Sequence, residues 1–566
     1  MYRNGIQKAA RQGVSFRRFA VLAALLFTTN GLLAAGKLSK DLIGLHSGAD
    51  IDVIVQFNHA PSAADLDGVG ASGGRVNRQF PNIHGLHVTM PAAALNGLAN
   101  NPNVVYVSPD RVVKGALEFA EPAVNANIAL QYGWTGSGVA VAVIDSGVYT
   151  HPDLFGRIAY SESFVPNDST TGDANGHGTH VAGIIGGNGA MSTGNSFIYT
   201  FRGIAPQSKI VNLRALDSSG QGSDSSVISA IDRAIALKTT YNIGVINVSL
   251  GRTIQESYTR DPLCQEMEKA WQAGLVVVVA AGNDGRDNSM STSGYATITS
   301  PGNDPFVITV GAMKDVSTTS RGDDLISSYS SKGPSLLDHV VKPDLVAPGN
   351  KIVSALSPGS AILSNGIGEQ ISVSYYKNNS NTSVSPYYVR LSGTSMAAPM
   401  VSGAAALLLQ QTPSLTPDQV KARLMKTATK NFPATSISTD PVTGISYLST
   451  YDIFTIGAGY LDVWAALNNT DVAAASAQSP VATFDSISGN TLIAPVAGSV
   501  WDSAVVWGSA VVWGSNVLAA NDTAVVWGSA VVWGSATSNS LAVVWGSAVV
   551  WGSGAPVSTG VAVRGE

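Results

Sequence analysis

The sequence predicts an α/β protein: a mostly parallel sheet with helices on both faces, a small α+β unit ahead of it and a tail of short β repeats behind it. Three observations predict this. Predominantly apolar runs at 139–144, 210–213, 245–248, 275–280 and 306–310 lack strand alternation, as expected of strands covered on both faces. Stretches with helical spacing, such as 227–237 and 263–273, fall between them. Beyond about residue 471 the composition changes abruptly, to a segment with no Lys and a single Arg, Arg564.

At 566 residues the chain is long enough for two to four domains, and with 45% hydrophobic and 13% charged residues it is too apolar to be disordered throughout. Lys plus Arg is 33 against 38 for Asp plus Glu, a net charge of -5. No basic excess exists to neutralise phosphates, which argues against a nucleic-acid partner. The single cysteine, Cys264, excludes an intrachain disulfide and a zinc site built on several thiolates.

The elements follow in chain order. Lys8, Arg11, Arg17 and Arg18 precede a short apolar stretch at 19–27 and small residues at 32–36, the order of a secretory signal over residues 1–36. Export from the cytoplasm follows. No stretch in the mature chain is long and apolar enough to span a bilayer. Residues 37–120 form the first unit, with strands expected at 51–57, 86–90 and 104–107, a Gly-rich turn at 68–74 and a short helix at 91–100. Residues 121–470 form the large α/β domain. There Thr416-Pro417-Asp418-Gln419 reads as a helix start, with a Thr cap, Pro at the first helical position and Gln closing a capping box. Residues 471–566 read as a linker and repeat tail. Ala-Val-Val-Trp-Gly-Ser recurs around Trp507, Trp513, Trp527, Trp533, Trp545 and Trp551, with the variant Ser-Val-Trp-Asp-Ser at Trp501, and the even period would set every Trp on one face of a strand. Hairpins or a β-solenoid are expected.

Four blocks in the α/β domain carry polar residues at strand ends or helix starts, where open α/β sheets bind ligands. Asp145 ends the run Val141-Ala142-Val143-Ile144. His177-Gly178-Thr179-His180 opens a helix of small residues. Ala280-Ala281-Gly282-Asn283 ends another strand, and Gly393-Thr394-Ser395-Met396 precedes an apolar helix. The residue types fit one mechanism. A serine hydroxyl needs an adjacent base, a neutral imidazole is that base, and a carboxylate fixes its tautomer. The Asn283 amide and the Ser395 N–H can serve a tetrahedral oxyanion. Taken singly, each residue has an ordinary structural role, as turn, cap or core polar group. Their order and flanking blocks argue for the joint role.

These blocks resemble those of the subtilisin-like serine proteases, the subtilases of peptidase family S8. The segments Ser330-Ser331-Lys332-Gly333-Pro334, Lys342-Pro343-Asp344-Leu345 and Ser300-Pro301-Gly302-Asn303 match as well. The resemblance covers about 135–465 and implies the subtilisin-like fold. It also implies Asp145, His177 and Ser395 as the triad, Asn283 as oxyanion donor, and His180 as structural. The first unit resembles that family's propeptide, with a ferredoxin-like α+β fold, which acts as an intramolecular inhibitor and is then cut away. In the family an extended protein or peptide substrate adds as a strand between two enzyme segments. Here these would be Gly220, Gln221 and Gly222 on one side and Ser249, Leu250 and Gly251 on the other. Ala280, Ala281 and Gly282 would complete a primary pocket whose small, uncharged walls suit broad or apolar specificity.

No cofactor is required for such chemistry. Structural calcium occurs in the family, but neither the insertion at 188–196 nor the loop at 284–288 shows a defensible ligand spacing, so no metal site is assigned. Cys264, Met267 and Trp271 share a helical face, which makes Cys264 a core residue. The expected function is a secreted serine endopeptidase made as a self-processed zymogen, with the tail a candidate for surface retention. The competing class is a catalytically inactive protease fold that displays its Trp-rich tail as a surface or binding protein. An esterase shares the chemistry but not the surroundings of Ser395.

Overall fold

The computed structural model describes residues 49–109 and 119–485 throughout, scattered residues between 37 and 45 and between 490 and 500, and strand fragments at 507–508, 517–519, 527–528 and 557–559. The signal segment 1–36 lies outside the described residues. The described residues fall into two compact units, parted between residues 113 and 114.

The first unit runs β1 (Asp50–Phe57), α1 (Ala63–Ala71), β2 (Arg75–Phe80), β3 (Gly85–Pro91), α2 (Leu95–Ala99) and β4 (Val104–Pro109). Its antiparallel sheet has the order β2-β3-β1-β4, the ferredoxin-like arrangement. One face is apolar: Val53, Val55, Leu86, Val88, Met90 and Val107 are buried with Val69 and Leu98 of the helices. Two expectations differ. The glycines at 68 and 70 lie within α1 rather than in a turn, because Ser62 and Asp65 close a capping box that starts the helix ahead of them. β2 was not expected, since its residues are mostly exposed and polar, as an edge strand's often are.

The second unit is built on β5 (Ala140–Asp145), β6 (Ile158–Ser163), α3 (His177–Gly186), β7 (Lys209–Arg214), β8 (Gln221–Gly222), α4 (Asp224–Tyr241), β9 (Ile243–Val248), β10 (Leu250–Gly251), α5 (Pro262–Gln272), β11 (Val276–Ala280), β12 (Ile308–Lys314), β13 (Leu325–Ile326), β14 (Leu345–Pro348), β15 (Ile352–Ala355), β16 (Glu369–Ser372), β17 (Val384–Leu391), α6 (Thr394–Gln411), α7 (Pro417–Thr427), β18 (Thr435–Thr439) and β19 (Ser446–Thr450). The central sheet has the order β13-β12-β11-β9-β5-β7-β6, with β14 also paired to β12. Every pairing in it is parallel except β12 with β13. β5 and β11 are buried at every residue, as their unbroken apolar runs require. Helix α6 is buried from Thr394 to Leu409 and packs on β9, β11, β12 and β14, so its N-terminus is carried inside the fold to the C-terminal ends of those strands. The capping box of α7 forms: Thr416 Oγ1 accepts the Gln419 N–H and Gln419 Oε1 accepts the Thr416 N–H. Cys264 is buried on α5 beside Met267 and Trp271. Among the described residues no helix is long and apolar enough to cross a membrane.

Where a linker was expected from residue 471, the chain instead returns to the body. Ser479 donates to the buried carboxylate of Asp344 at 2.6 Å and accepts from Lys421 at 2.9 Å. Ala477 and Ala482 are buried, and Val341 N–H donates to the Pro480 carbonyl. The reason lies in Lys342, Asp344 and Lys421, a buried polar cluster that needs a further donor and acceptor. Then β20 (Val481–Asp485) and β21 (Asn490–Ala494) form a hairpin, and β23 (Val517–Ala519) adds parallel to β21. Of the repeats, β22 (Trp507–Gly508) and β24 (Trp527–Gly528) pair in parallel, Trp507 opposite Trp527. Trp501, Trp513, Trp533, Trp545 and Trp551 lie outside the described residues. The last strand, β25 (Val557–Thr559), lies between β8 and β10.

Candidate active site

Asp145 ends β5 at its C-terminal edge, almost fully buried. His177 is the first residue of α3, and its Nδ1 lies 2.8 Å from Asp145 Oδ1 and 3.0 Å from Oδ2. With Asp145 accepting, Nδ1 carries the proton and Nε2 is left as the acceptor. That Nε2 is buried and has no hydrogen-bond partner among the described residues. The close approach of strand end to helix start depends on Gly178. A Cβ there would lie 2.2 Å from the Gly147 carbonyl oxygen and 3.1 Å from Asp145 Cβ.

A second carboxylate, not anticipated from sequence, frames this pair. Asp173 is buried and accepts from the Gly176 N–H (2.6 Å), the Thr179 N–H (2.8 Å), the Thr179 hydroxyl (2.6 Å) and the Ser146 hydroxyl (2.9 Å). It thereby satisfies N–H groups at the start of α3 that have no partner within the helix. Burial holds its carboxyl above the usual range, against the hydrogen bonds from Thr179 and Gly176. Burial opposes charge on His177. The charge of Asp145, its hydrogen bond and the charge of Asp173 outweigh that, and the imidazole pKa stands above its ordinary value. His180 is different. Its Nε2 donates to the carbonyls of Ile352 and Val389 at 3.0 and 3.2 Å, and burial together with the neighbouring His177 pushes it down to about 3. It serves as a tie between α3 and the strands β15 and β17.

Ser395 is the second residue of α6 and is fully buried. Its hydroxyl donates to the Ser249 carbonyl at 3.2 Å. Helix α6 packs on α3, and each of the two residues lies in the first turn of its helix. Strand β9 anchors the helix. Ser249 Oγ donates to the Ser395 carbonyl (3.0 Å), Asn247 Nδ2 donates to Ser249 Oγ (3.0 Å), and the Ser402 hydroxyl donates to Asn247 Oδ1 (2.8 Å). Asn247 was the only signal of this network in the sequence, as a polar residue inside an otherwise apolar run.

Asn283 follows β11 and is half-buried. Its Oδ1 accepts the Thr394 N–H at 2.9 Å, which turns the amide so that Nδ2 faces Gly393. Gly393 has φ 151°, a conformation for which glycine is suited. A Cβ on it would lie 3.2 Å from Asn283 Nδ2 and 3.7 Å from the Ser395 nitrogen. Two N–H donors therefore border one small space at a helix N-terminus, where the dipole favours negative charge.

The other expected residues lie around this centre. Gln221 and Gly222 form β8, with Gly220 just before it. Leu250 and Gly251 form β10, with Ser249 just before it. Ala280 ends β11, and Ala281 and Gly282 follow it. Thr299, missed in the sequence, stands between the last two segments. A Cβ on Gly251 would lie 2.6 Å from Thr299 Oγ1, and one on Gly282 would lie 2.8 Å from Thr299 Cγ2. Nearby Arg252 is engaged by Asp224 and Asp261. Among the described residues no group of three His, Cys, Asp or Glu side chains is placed to hold a metal. In the two loops considered for calcium, Asn188, Asp287 and Asn288 each use a side-chain oxygen to accept a local backbone N–H. These are turn caps.

The family model described as the subtilase family, peptidase S8, matches residues 136–442. Serine protease AprX of Bacillus subtilis (strain 168) is 38% identical over 367 residues, 63% of this chain and 76% of that protein. Subtilisin E of the same organism is 33% identical over 420 residues, 72% of this chain and 91% of its own. The extracellular serine proteinase of Thermus sp. (strain Rt41A) is 34% identical over 382 residues, 65% and 77% respectively.

Proposed function

Since the chain belongs to the subtilase family, as a serine endopeptidase of the subtilisin type, we propose that it cuts peptide bonds through Asp145, His177 and Ser395, with Asn283 and the Ser395 N–H as oxyanion donors. The observation that carries this is the buried, unpartnered Nε2 of a histidine whose other nitrogen is fixed by Asp145. As Ser395 Oγ attacks the scissile carbonyl, Nε2 takes its proton, and Asp145 stabilises the imidazolium. The carbonyl oxygen, now negative, moves between Asn283 Nδ2 and the Ser395 N–H. When the intermediate collapses, His177 gives its proton to the leaving amine. Water then enters by the same route and frees the acyl group. Subtilases need no cofactor for this chemistry.

Residues 220–222 and 249–251 form the two sides of the substrate groove. Residues 250–251 and 280–282, closed by Thr299, form a small uncharged primary pocket that favours apolar or varied side chains over Lys and Arg. The protein is made as a zymogen: residues 1–36 direct secretion, the unit at 37–120 inhibits and is removed by the enzyme itself, and the tail contributes to surface retention. Labelling with a fluorophosphonate probe tests the central claim. Ser395 should be modified stoichiometrically, and an unlabelled, folded protein would assign the fold to display or binding instead.

Two further results are expected. Replacing Asn283 by Ala lowers kcat by about 10²–10³-fold, the magnitude known for the corresponding donor in subtilisin, with little change in KM. A loss confined to KM would place Asn283 in ground-state binding. The pH profile follows from His177. The base must be neutral, and its pKa is raised. The acid limb of kcat/KM should therefore lie above the ordinary histidine value of about 6.5, with activity holding into mildly alkaline solution. The sign for stability is opposite. The fold favours the charged imidazole, so this group's contribution is complete below its ordinary pKa and is lost as pH rises through the raised one. An activity optimum in acid would remove His177 as the base.

A further inference from the structure

The groove has an occupant in the structure. β25 is the middle strand of a three-stranded sheet, antiparallel to β8 on one side and to β10 on the other. Val557 stands opposite Gly222, Ser558 opposite both Gln221 and Gly251, and Thr559 opposite Leu250. These are the two segments between which a substrate would add as a strand. The direction is informative as well. Thr559 faces Leu250, the neighbour of Ser249, and the Ser249 carbonyl accepts the Ser395 hydroxyl. The C-terminal end of β25 therefore points toward the nucleophile, as the acyl side of a bound substrate must.

We infer that the chain's own C-terminal segment around Val557–Thr559 is an intramolecular ligand of the substrate groove and competes with peptide substrates for it. This rests on the peptidase reading above and adds a second inhibitory element, at the opposite end of the chain from the N-terminal unit. Two short sheet edges, β8 and β10, each expose backbone groups that need a partner, and a tethered strand supplies it without side-chain selectivity. Tethering presents the segment at an effective concentration of the order of millimolar, so weak strand pairing suffices to populate the bound form. If about nine-tenths of the molecules hold the strand, the apparent KM of a short peptide is raised about tenfold, while kcat is untouched because bound substrate meets the same residues.

The test compares three mature enzymes on a soluble chromogenic peptide: the full chain, a chain ending at Pro556, and the full chain with Ser558→Pro. Proline has no N–H to give to either neighbouring strand. Mass spectrometry fixes the C-terminus of each sample, and fluorophosphonate titration counts the active sites. The expected result is a KM about tenfold lower in both variants at equal kcat. A synthetic peptide of residues 551–566, added to the chain ending at Pro556, should inhibit competitively, and its Ser558→Pro form should not. Equal KM in all three enzymes, with no competition by the peptide, overturns the inference and leaves the peptidase reading intact. Loss of fluorophosphonate labelling in all three overturns that reading, and this inference with it.

Discussion

Replacing Ser395 by Ala abolishes peptide hydrolysis while leaving the fold in place. The expected fall in kcat is about 10⁶-fold, the size known for the nucleophile of subtilisin itself. Ser395 is fully buried, and its hydroxyl donates to the Ser249 carbonyl at 3.2 Å, so the change removes one oxygen and creates little space. Helix α6 remains anchored, because the tie from Ser249 Oγ goes to the Ser395 carbonyl, which alanine keeps. The measurement is kcat on a peptide substrate, with circular dichroism to show the native state. The same variant bears on maturation. If residues 37–120 are removed by the enzyme itself, the purified Ser395→Ala protein keeps them, and correct processing in isolation would transfer that step to another protease.

The second large effect is on stability, far from the chemistry. Asp344 is fully buried between two buried lysines, with Oδ2 at 2.7 Å from Lys342 Nζ and Oδ1 at 3.1 Å from Lys421 Nζ. It also accepts from the Thr309 N–H and the Ser479 hydroxyl. Burial opposes its charge, but the two lysines outweigh that and hold its carboxyl below the usual range. Asp344→Asn removes from a dry interior the carboxylate that both lysines contact, and the expected cost is about 3–5 kcal/mol. Denaturant unfolding in the Ser395→Ala background, where self-digestion is absent, measures it. A loss under about 1 kcal/mol would show that the cluster is solvated or rearranges freely. A pH signature accompanies it. Burial, then the charge of Lys342, push Lys421 down to about 7 against the pull of Asp344. Between about pH 7 and the ordinary lysine value of 10.5 the unfolded chain binds the extra proton, so the Lys421 contribution to stability rises with pH across that window. Asp344 has the same sign in a lower window, since its contribution is present above the ordinary carboxylate pKa and is lost as pH falls through the depressed one.

Much of this was legible in the chain. The predominantly apolar runs located β5, β7, β9, β11 and β12 to within a few residues, because a strand covered on both faces cannot tolerate alternation, while β6 and β14 were not among those runs. Thr416 and Gln419 marked the start of α7, since a capping box is local chemistry. Gly68 and Gly70 misled for the complementary reason. Glycine permits a turn without demanding one, and the capping box of Ser62 and Asp65 started a helix through them. The polar edge strand β2 carried no periodic signal at all.

By itself the sequence determined which residue types end the strands and open the helices: Asp145, His177, Asn283 and Ser395, each within a few residues of a change in pattern. These are properties of neighbours along the chain. Tertiary structure alone decided what those residues meet. Asp173 supports the start of α3, Asn247 and Ser402 tie α6 to β9, Thr299 closes the space between Gly251 and Gly282, and Ser479 completes the charge cluster at Asp344 from 135 residues away. The placement of β25 between β8 and β10 belongs to the same class. A buried polar atom or an open sheet edge must find a partner, but distance along the chain places no limit on where that partner comes from, and only folding brings it into reach.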